Sequence, residues 1–169
     1  MRGAFVHMLQ LAYFMLPAYC ANMAPPFVRF WHGWNRPISR RWLGDHKTVV
    51  GFLAGVCAGV LATAMQRLVD TPIAIVDYRH WLALGLLFGT GAMLGDAFKS
   101  FAKRRLHIAP GERWIPFDQL DFVIGALILV GPRIELGWAD VVFVLALSFV
   151  ADVVVNWLAF RCGIKDSPW

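Results

Sequence analysis

Three aspartates and two lysines lie close together in the second half of the chain, at spacings typical of helical faces. Asp96, Lys99 and Lys103 follow one another at i, i+3 and i+7, which places them on one side of an α-helix. Asp118 and Asp121 stand at i and i+3, again on one side. If the two segments pack antiparallel, the three carboxylates and both ammonium groups meet at one end of a helical hairpin.

This combination of side chains predicts a site for a divalent cation and a polyphosphate. Magnesium is usually held by one or two carboxylates together with substrate phosphates, and lysines or arginines offset the remaining phosphate charge. Ser100 lies on the same face, but no residue of the cluster is a nucleophile with a base beside it. The pattern therefore favours positioning and metal electrostatics, as in phosphoryl-type transfer, over covalent catalysis.

A simpler interpretation of the same charges stays open. Asp96–Lys99 and Asp118–Arg113 could be local ion pairs that let two helix ends lie in a membrane interface. A single pair of this kind would need no other explanation. Three carboxylates with several cations at one depth favour the ligand site.

The hairpin needs two helices and a turn, and the sequence has signals for both. The apolar segment from His80 to Gly95 continues at helical spacing into the charged face. Pro110-Gly111 and Pro116 then interrupt the helical pattern, so that the chain can turn before Asp118.

The composition places these helices in a membrane. Of the 169 residues, 59% are hydrophobic and 16% are charged, against about 45–50% and about 25% in soluble domains. Because a small soluble domain has a large surface to cover with polar groups, a soluble enzyme, a disordered tail and a disulfide-rich secreted module are excluded. The three cysteines are far apart and indicate neither a zinc site nor a disulfide framework. We expect one integral membrane domain over residues 1–169.

Apolar segments predict an all-α, polytopic protein with five transmembrane helices. A bilayer core of ~30 Å needs ~20 helical residues. The fourth segment is long enough only if its helix begins near Asp118, which draws Asp118 and Asp121 to the membrane boundary. The fifth carries Asp152 in its middle. The predicted spans are residues 4–22, 48–66, 80–100, 118–133 and 140–161.

The charge of the connecting segments predicts the orientation. Segments 23–47 and 97–117 each carry five basic residues against one acidic residue, and the C-terminal tail adds Arg161 and Lys165. By the positive-inside rule these segments face the cytoplasm, with the N-terminus outside and the C-terminus inside. We therefore expect a multi-pass protein of the cell membrane with its active site facing the cytoplasm. The net charge of +5 is then a matter of topology and not of nucleic-acid binding.

The basic segment before the second span is also rich in aromatic residues. Phe27, Phe30, Trp31 and Trp34 stand among arginines in residues 23–43, which predicts an amphipathic helix in the membrane interface. The residues expected to be plain anchors for lipid headgroups are Arg36, Arg40 and Arg41.

Residues 95–121 resemble the signature of the CTP:phosphatidate cytidylyltransferase superfamily, in which a serine and basic residues precede a spaced Asp-x-x-Asp. The chain is similar in particular to the archaeal branch, CDP-archaeol synthase. The positions that carry the resemblance are Gly95, Asp96, Lys99, Ser100, Phe101, Lys103, Arg104, Arg105, Gly111, Trp114, Pro116, Asp118, Gln119, Asp121 and Phe122. Further matches are Tyr19, Asn22, Pro25, Pro37, Leu43, Gly44, Lys47, Thr48, Gly51, Asn156 and the ending 163–169. Asp152 departs from the pattern, which leads us to expect a histidine there.

The resemblance implies a magnesium-dependent enzyme of phospholipid biosynthesis. It would transfer the cytidylyl group of CTP to the ether lipid 2,3-bis-(O-geranylgeranyl)-sn-glycerol 1-phosphate and release pyrophosphate. The implied partners are CTP, the geranylgeranyl lipid phosphate and the bilayer, without nucleic acid, and a homodimer stays open.

The resemblance also implies roles for individual side chains. The implied catalytic residues are Asp96, Lys99, Asp118 and Asp121, and the three aspartates among them are the implied ligands of Mg²⁺. The residues implied to bind the nucleotide or the lipid head are Lys47, Ser100, Lys103, Arg104, Asn22, Gly44 and Asn156.

Two alternatives are kept beside this function. A CTP-dependent polyprenol or lipid kinase needs similar carboxylates and lysines, but it transfers the γ-phosphoryl group and releases CDP. A small membrane transporter would place charge at mid-membrane and show internal repeats. Asp152 is the candidate for such a charge, and the sequence has no detectable repeat.

Overall fold

The computed structural model describes residues 2–109 and 112–162, and regular structure in these ranges is helical apart from one bridge between Pro37 and Thr48. The α-helices are α1 (Arg2–Met23), α2 (Arg40–Leu43), α3 (Val49–Val69), α4 (Trp81–Arg105), α5 (Phe117–Val130) and α6 (Trp138–Arg161). Short 3-10 turns lie at Pro25–Phe30, Tyr78–His80 and Gly131–Arg133. The sequence signals at 110–111 and 163–169 lie outside the described residues.

The predicted all-α class is confirmed for the part of the chain that the structure describes. By length and composition, four segments can cross a membrane: Gly3–Val28, Val49–Val69, Tyr78–Arg105 and Trp138–Leu158. Helix α5 has 14 residues, which is about 21 Å at 1.5 Å per residue. Because this is shorter than a bilayer core of ~30 Å, the fifth span stays a prediction.

Local sequence explains where the helices that flank the charged region begin and end. The Thr48 hydroxyl caps α3 by accepting a hydrogen bond from the Gly51 amide at 3.1 Å. Helix α4 continues through the charged face, as its spacing predicted, and ends with Lys103, Arg104 and Arg105 in its last turn. Positive charge there complements the negative end of the helix dipole.

Helix α4 lies at the centre and packs against α1, α3 and α5. Helices α1 and α6 run parallel, because His7 meets Asp140 near their starts and Tyr19 meets Ser148 further along, both at 2.7 Å. The buried core between the helices consists of apolar side chains including Leu11, Phe14, Met15, Phe88, Val123, Ala126 and Val130.

Glycines let α4 approach both of its antiparallel neighbours closely. A Cβ atom on Gly59 would lie 2.9 Å from the Gly89 Cα, where α3 meets α4. A Cβ on Gly91 would lie 2.7 Å from the Ala126 Cα, where α4 meets α5. Small residues at such contacts allow the backbones of membrane helices to pack together. One turn further along, Gly95 faces the α5 backbone in the same way, immediately before the charged residues of α4.

The interfacial helix predicted over residues 23–43 is wrong. The segment forms the 3-10 turn Pro25–Phe30 and the four-residue α2, and prolines, among them Pro37, interrupt a longer helix. The part between them pairs with the start of α3. The Ile38 amide donates to the Lys47 carbonyl at 2.8 Å, and the Val49 amide donates to the Arg36 carbonyl at 2.9 Å. The backbone directly after the Lys47 Cα is thereby held in place.

Candidate active site

Three carboxylates from two helices meet around one ammonium group. The Nζ atom of Lys99 lies 2.7 Å from Oδ2 of Asp121, 3.3 Å from Oδ1 of Asp96 and 3.7 Å from Oδ1 of Asp118. The close approach at Gly95 produces this geometry, because it sets the last turns of α4 directly against the first turns of α5. The sequence prediction that these side chains gather at one end of a hairpin describes their arrangement in the structure.

Two further lysines complete the cluster. Lys47 forms an ion pair with Oδ2 of Asp96. Lys103 donates to both carboxylate oxygens of Asp118 at 3.0 Å and also to the carbonyl of Glu112. Asp118 accepts a third hydrogen bond, from the Trp114 amide at 2.6 Å. Asp118 is thus oriented by the loop before α5 as well as by α4.

The cluster is largely shielded from solvent. The side chain of Asp121 is 5% exposed, and those of Lys99 and Asp96 are 17% and 16% exposed. Ionised groups at this depth are costly unless opposite charges and hydrogen bonds offset the loss of water. Three carboxylates facing three ammonium groups meet that requirement.

A polar cavity of about 160 Å³ opens beside the cluster. Ser100 lines it and donates from its hydroxyl to the Asp96 carbonyl at 3.0 Å. Arg104 also lines it, donates to the Ile108 carbonyl at 2.9 Å and lies against Gly44. The cavity is lined by Leu43, His46, Lys47, Lys99, Ser100, Lys103, Arg104 and Asp118. A cavity so rich in basic side chains can bind a phosphate chain.

An apolar groove of about 440 Å³ begins on the other side of the same lysine. It runs between α4 and α5, and Lys99 and Asp121 are its charged residues. Its lining consists of Leu94, Gly95, Phe98, Lys99, Ala102, Trp114, Phe117, Asp121, Ile124, Gly125, Ile128 and Leu129. Such a lining can hold hydrocarbon chains while their charged head reaches the carboxylates.

Asn22 and Asn156 lie apart from this arrangement. Asn22 lines a separate cavity of about 150 Å³, together with Tyr19, Ser148 and Asp152. Asn156 donates to the side chain of Asp152 at 2.8 Å, one helical turn away. Asp152 therefore belongs to this second polar region, between α1, α5 and α6, and not to the carboxylate cluster.

Carboxylate oxygens are the ligands that magnesium prefers, and the cluster fits that ion in charge and chemistry. The three aspartates already converge on a single cation, the Lys99 ammonium. Within residues 2–109 and 112–162, no three His, Cys, Asp or Glu side chains are already grouped as they would be around a metal ion.

Comparison with known proteins identifies the family of the chain. The model of the CarS-like family, CDP-archaeol synthase, matches residues 5–169. The chain belongs to the CDP-archaeol synthase family. The resemblance that the motifs around Asp96 and Asp118 suggested is thereby confirmed.

Individual members of the family are similar over nearly the whole chain. The CDP-archaeol synthase of Thermofilum pendens is 40% identical over 92% of this chain and 78% of its own length. That of Thermococcus gammatolerans is 34% identical over 99% of both chains. A solved structure, described as an intramembrane enzyme for archaeal membrane lipid biosynthesis, superposes with a TM-score of 0.74 at 30% identity, over 88% of this chain and 94% of that one.

Sequence reasoning missed several members of the site. His46 lines the polar cavity, and its position directly before Lys47 was the available signal. The groove residues Phe98, Ile124 and Ile128 were read only as parts of apolar spans. Their helical spacing marks one face of each helix, but the partner of that face is set by packing.

Proposed function

We propose that the chain transfers the cytidylyl group of CTP to the lipid phosphate 2,3-bis-(O-geranylgeranyl)-sn-glycerol 1-phosphate at the carboxylate cluster. Membership of the CDP-archaeol synthase family supports cytidylyl transfer in archaeal membrane lipid biosynthesis. The main structural support is that Lys99 lines both the apolar groove and the polar cavity and contacts all three aspartates. One substrate has hydrocarbon chains and the other has a triphosphate, so two adjoining compartments of opposite character suit the pair.

In the proposed reaction, a phosphate oxygen of the lipid attacks the α-phosphorus of CTP in line. The new bond joins that oxygen to the α-phosphorus, the bond from the α-phosphorus to the bridging oxygen breaks, and pyrophosphate leaves with the electron pair. A phosphate monoester is ionised near neutral pH, so no protein base is required. Lys47, Lys103 and Arg104 would bind the triphosphate from the polar cavity, and Ser100 would orient it.

Asp96, Asp118 and Asp121 would hold Mg²⁺. When bound, the ion offsets negative charge on the attacking and leaving phosphate oxygens. The hydrogen bonds from Lys103 and the Trp114 amide keep Asp118 oriented towards the cluster. The Phe122 amide donates to Asp121 at 2.7 Å and orients that carboxylate.

We also propose five membrane crossings with the N-terminus outside and the site facing the cytoplasm. Successive long helices alternate in direction. Pro25, just after α1, lies beside Gly51 at the start of α3, the pairs α3–α4 and α4–α5 are antiparallel, and α1 and α6 are parallel. The end of the bundle that holds the carboxylates also holds the two basic connecting segments, which the positive-inside rule assigns to the cytoplasm. Helix α5 would cross with the help of the following turn, Gly131–Arg133.

Orientation is tested with single cysteines in a variant in which the three native cysteines are replaced. In sealed, right-side-out vesicles, a membrane-impermeant maleimide should label Glu135→Cys and leave Arg40→Cys unlabelled until the membrane is opened. Labelling of Arg40→Cys in sealed vesicles would mean that the topology is the reverse of the proposed one.

Whether the protein forms a homodimer is tested by light scattering of the detergent-solubilised protein.

The activity is tested with purified protein in lipid vesicles, CTP labelled at the α-phosphate and the geranylgeranyl lipid phosphate. We expect label in the lipid only when Mg²⁺ is present, with one pyrophosphate released per labelled lipid. A lipid kinase would instead give free labelled CDP and unlabelled lipid. Absence of lipid labelling at every Mg²⁺ concentration would refute cytidylyl transfer.

Asn22, Asn156 and Gly44 remain proposed ligand residues with a more indirect role. Gly44 lies against Arg104 and would fix that side chain, and its φ of +84° favours glycine. Asn22 and Asn156 would orient a substrate only if it reaches the cavity around Asp152. Substitution of Asn22 by alanine should then raise the KM of one substrate and leave that of the other unchanged.

A further inference from the structure

Lys99 differs from the other two lysines of the cluster, Lys47 and Lys103, in the partners of its ammonium group. Lys103 has a partner outside the cluster, the Glu112 carbonyl, and Lys47 pairs with one carboxylate from a braced loop. Lys99 forms an ion pair with each of the three aspartates, and these pairs bridge α4 and α5. Among these lysines, Lys99 is the one that lies where the carboxylates converge.

A divalent cation cannot join this arrangement without displacing a charge. Three carboxylates facing three ammonium groups are neutral together. A divalent cation held by the same oxygens would leave two uncompensated positive charges in a region largely shielded from water, which is strongly unfavourable. The ion would also need the oxygens that Lys99 contacts. Without nucleotide to supply negative charge, Lys99 would therefore have to give up its contacts for the aspartates to bind metal.

The Lys99 ammonium has a second position available, in the polar cavity. The residue lines the polar cavity together with Lys47, Lys103 and Arg104, as well as the apolar groove. A lysine side chain has four rotatable bonds, so its ammonium can turn from the carboxylates into that cavity while α4 stays in place. A triphosphate bound there would bring negative charge to replace the contacts that Lys99 has left.

We propose that Lys99 is an exchangeable cation, which neutralises Asp96, Asp118 and Asp121 until Mg²⁺ displaces it and then binds the phosphates of the nucleotide. The inference rests on the proposed function, because it takes these aspartates as the metal ligands. It makes metal and nucleotide binding cooperative, since each removes a cost of binding the other. Without nucleotide, Lys99 competes with the metal; with nucleotide, it supports the complex.

The experiment measures binding of Mn²⁺ as a probe for Mg²⁺, by electron paramagnetic resonance on the purified full chain in detergent. Without nucleotide, Lys99→Met should bind Mn²⁺ about tenfold more tightly than the unchanged protein, because the competing ammonium is gone. Lys47→Met removes the same charge from the same cluster but not from its centre, and should give a smaller gain. Lys99→Arg keeps the charge and should bind Mn²⁺ no more tightly than the unchanged protein.

Two further measurements test whether Lys99 stabilises the metal-free protein and whether it contacts the nucleotide. In EDTA, Lys99→Met should melt at a lower temperature than the unchanged protein, and Mn²⁺ should raise its melting temperature more. Adding CTP should tighten Mn²⁺ binding to the unchanged protein more than to Lys99→Met, because the variant has no ammonium to move to the phosphates. If Lys99→Met does not fold, Lys99→Gln takes its place in every arm.

The inference is overturned if Lys99→Met binds Mn²⁺ no more tightly than Lys47→Met does, or if CTP tightens Mn²⁺ binding equally with and without Lys99. Failure of the proposed function gives a different result. In that case the unchanged protein forms no labelled lipid, and Asp118→Asn leaves Mn²⁺ binding as it is.

Discussion

The two ends of the helical bundle hold their carboxylates in different ways. At the end where α1 and α6 begin, Asp140 pairs with His7 at 2.7 Å, and the two side chains are 22% and 49% exposed. At the other end, Asp121 is 5% exposed and shares Lys99 with two further aspartates. The first is an ion pair at the surface, and the second is a buried network that spans two helices.

The difference separates charges that lie at the surface from charges that are candidates for a binding site. An exposed pair contributes little, because water and salt screen it. A buried network has a large cost of desolvation, and apolar residues of similar volume often stabilise a protein better. Three carboxylates kept in this position, beside a polar cavity and an apolar groove, are what we expect of the proposed binding site.

Removing one carboxylate from the buried network should have the largest effect on activity. We expect Asp118→Asn and Asp121→Asn each to lower kcat by about 10²–10³-fold or more, because one charged ligand of the proposed metal site is lost. Lipid labelling measures kcat, and gel filtration checks that each variant is folded. The matched control at the other end is Asp140→Asn, which should keep its activity. Near-normal turnover in Asp118→Asn or Asp121→Asn would remove that residue from the proposed metal ligands.

The helix contact that positions the network should be the next most sensitive feature. A methyl group on Gly125 would lie 2.8 Å from the Gly95 Cα and push α4 away from α5. We expect Gly125→Ala to cost about 1–3 kcal/mol of stability. A shift of about 1 Å between the two halves of the site should also lower activity about 10²-fold. Thermal melting and lipid labelling measure the two effects.

Gly131→Ala is the control for this contact, because a methyl group there meets nothing within 4 Å. Its melting temperature and activity should stay close to those of the unchanged protein. Equal effects of the two substitutions would show that the α4–α5 contact does not position the site.

Filling the apolar groove should affect one substrate and not the other. Ile128 lines the groove away from the carboxylates, so Ile128→Trp should raise the KM for the lipid phosphate several-fold and leave the KM for CTP unchanged. Leu61→Trp places the same side chain on α3, at a position that is 65% exposed and outside the groove. An unchanged lipid KM in Ile128→Trp, or an equal rise in Leu61→Trp, would contradict lipid binding in the groove.

The part of the site that could be predicted from the sequence is the part that depends on helical spacing. Asp96, Lys99 and Lys103 share a face by periodicity alone, and a turn before Asp118 brings the second face back to the first. The composition predicted the membrane for a similar reason, because it depends on residue types and not on contacts.

Features that depend on contacts between distant segments could not be predicted in this way. The position of Lys99 between three aspartates follows from the backbone approach at Gly95, and spacing says nothing about that distance. Likewise, spacing does not predict that Asn22 lines a different cavity from the one beside the carboxylates. The helix predicted over residues 23–43 was wrong because composition favoured it while prolines and pairing with the start of α3 prevented it.

The smallest effect is expected from the surface pair at the opposite end. His7→Gln replaces an ionisable partner of Asp140 by an uncharged amide. That carboxylate also accepts a hydrogen bond from the Gly137 amide at 3.1 Å and so keeps a partner at the start of α6. We therefore expect unchanged kcat, unchanged Mn²⁺ binding and a melting temperature close to that of the unchanged protein, with any small decrease disappearing at high salt, since exposed pairs are screened. Loss of activity in His7→Gln with normal melting would mean that the two ends of the bundle are coupled, and the distinction between a surface pair and a binding network would then fail.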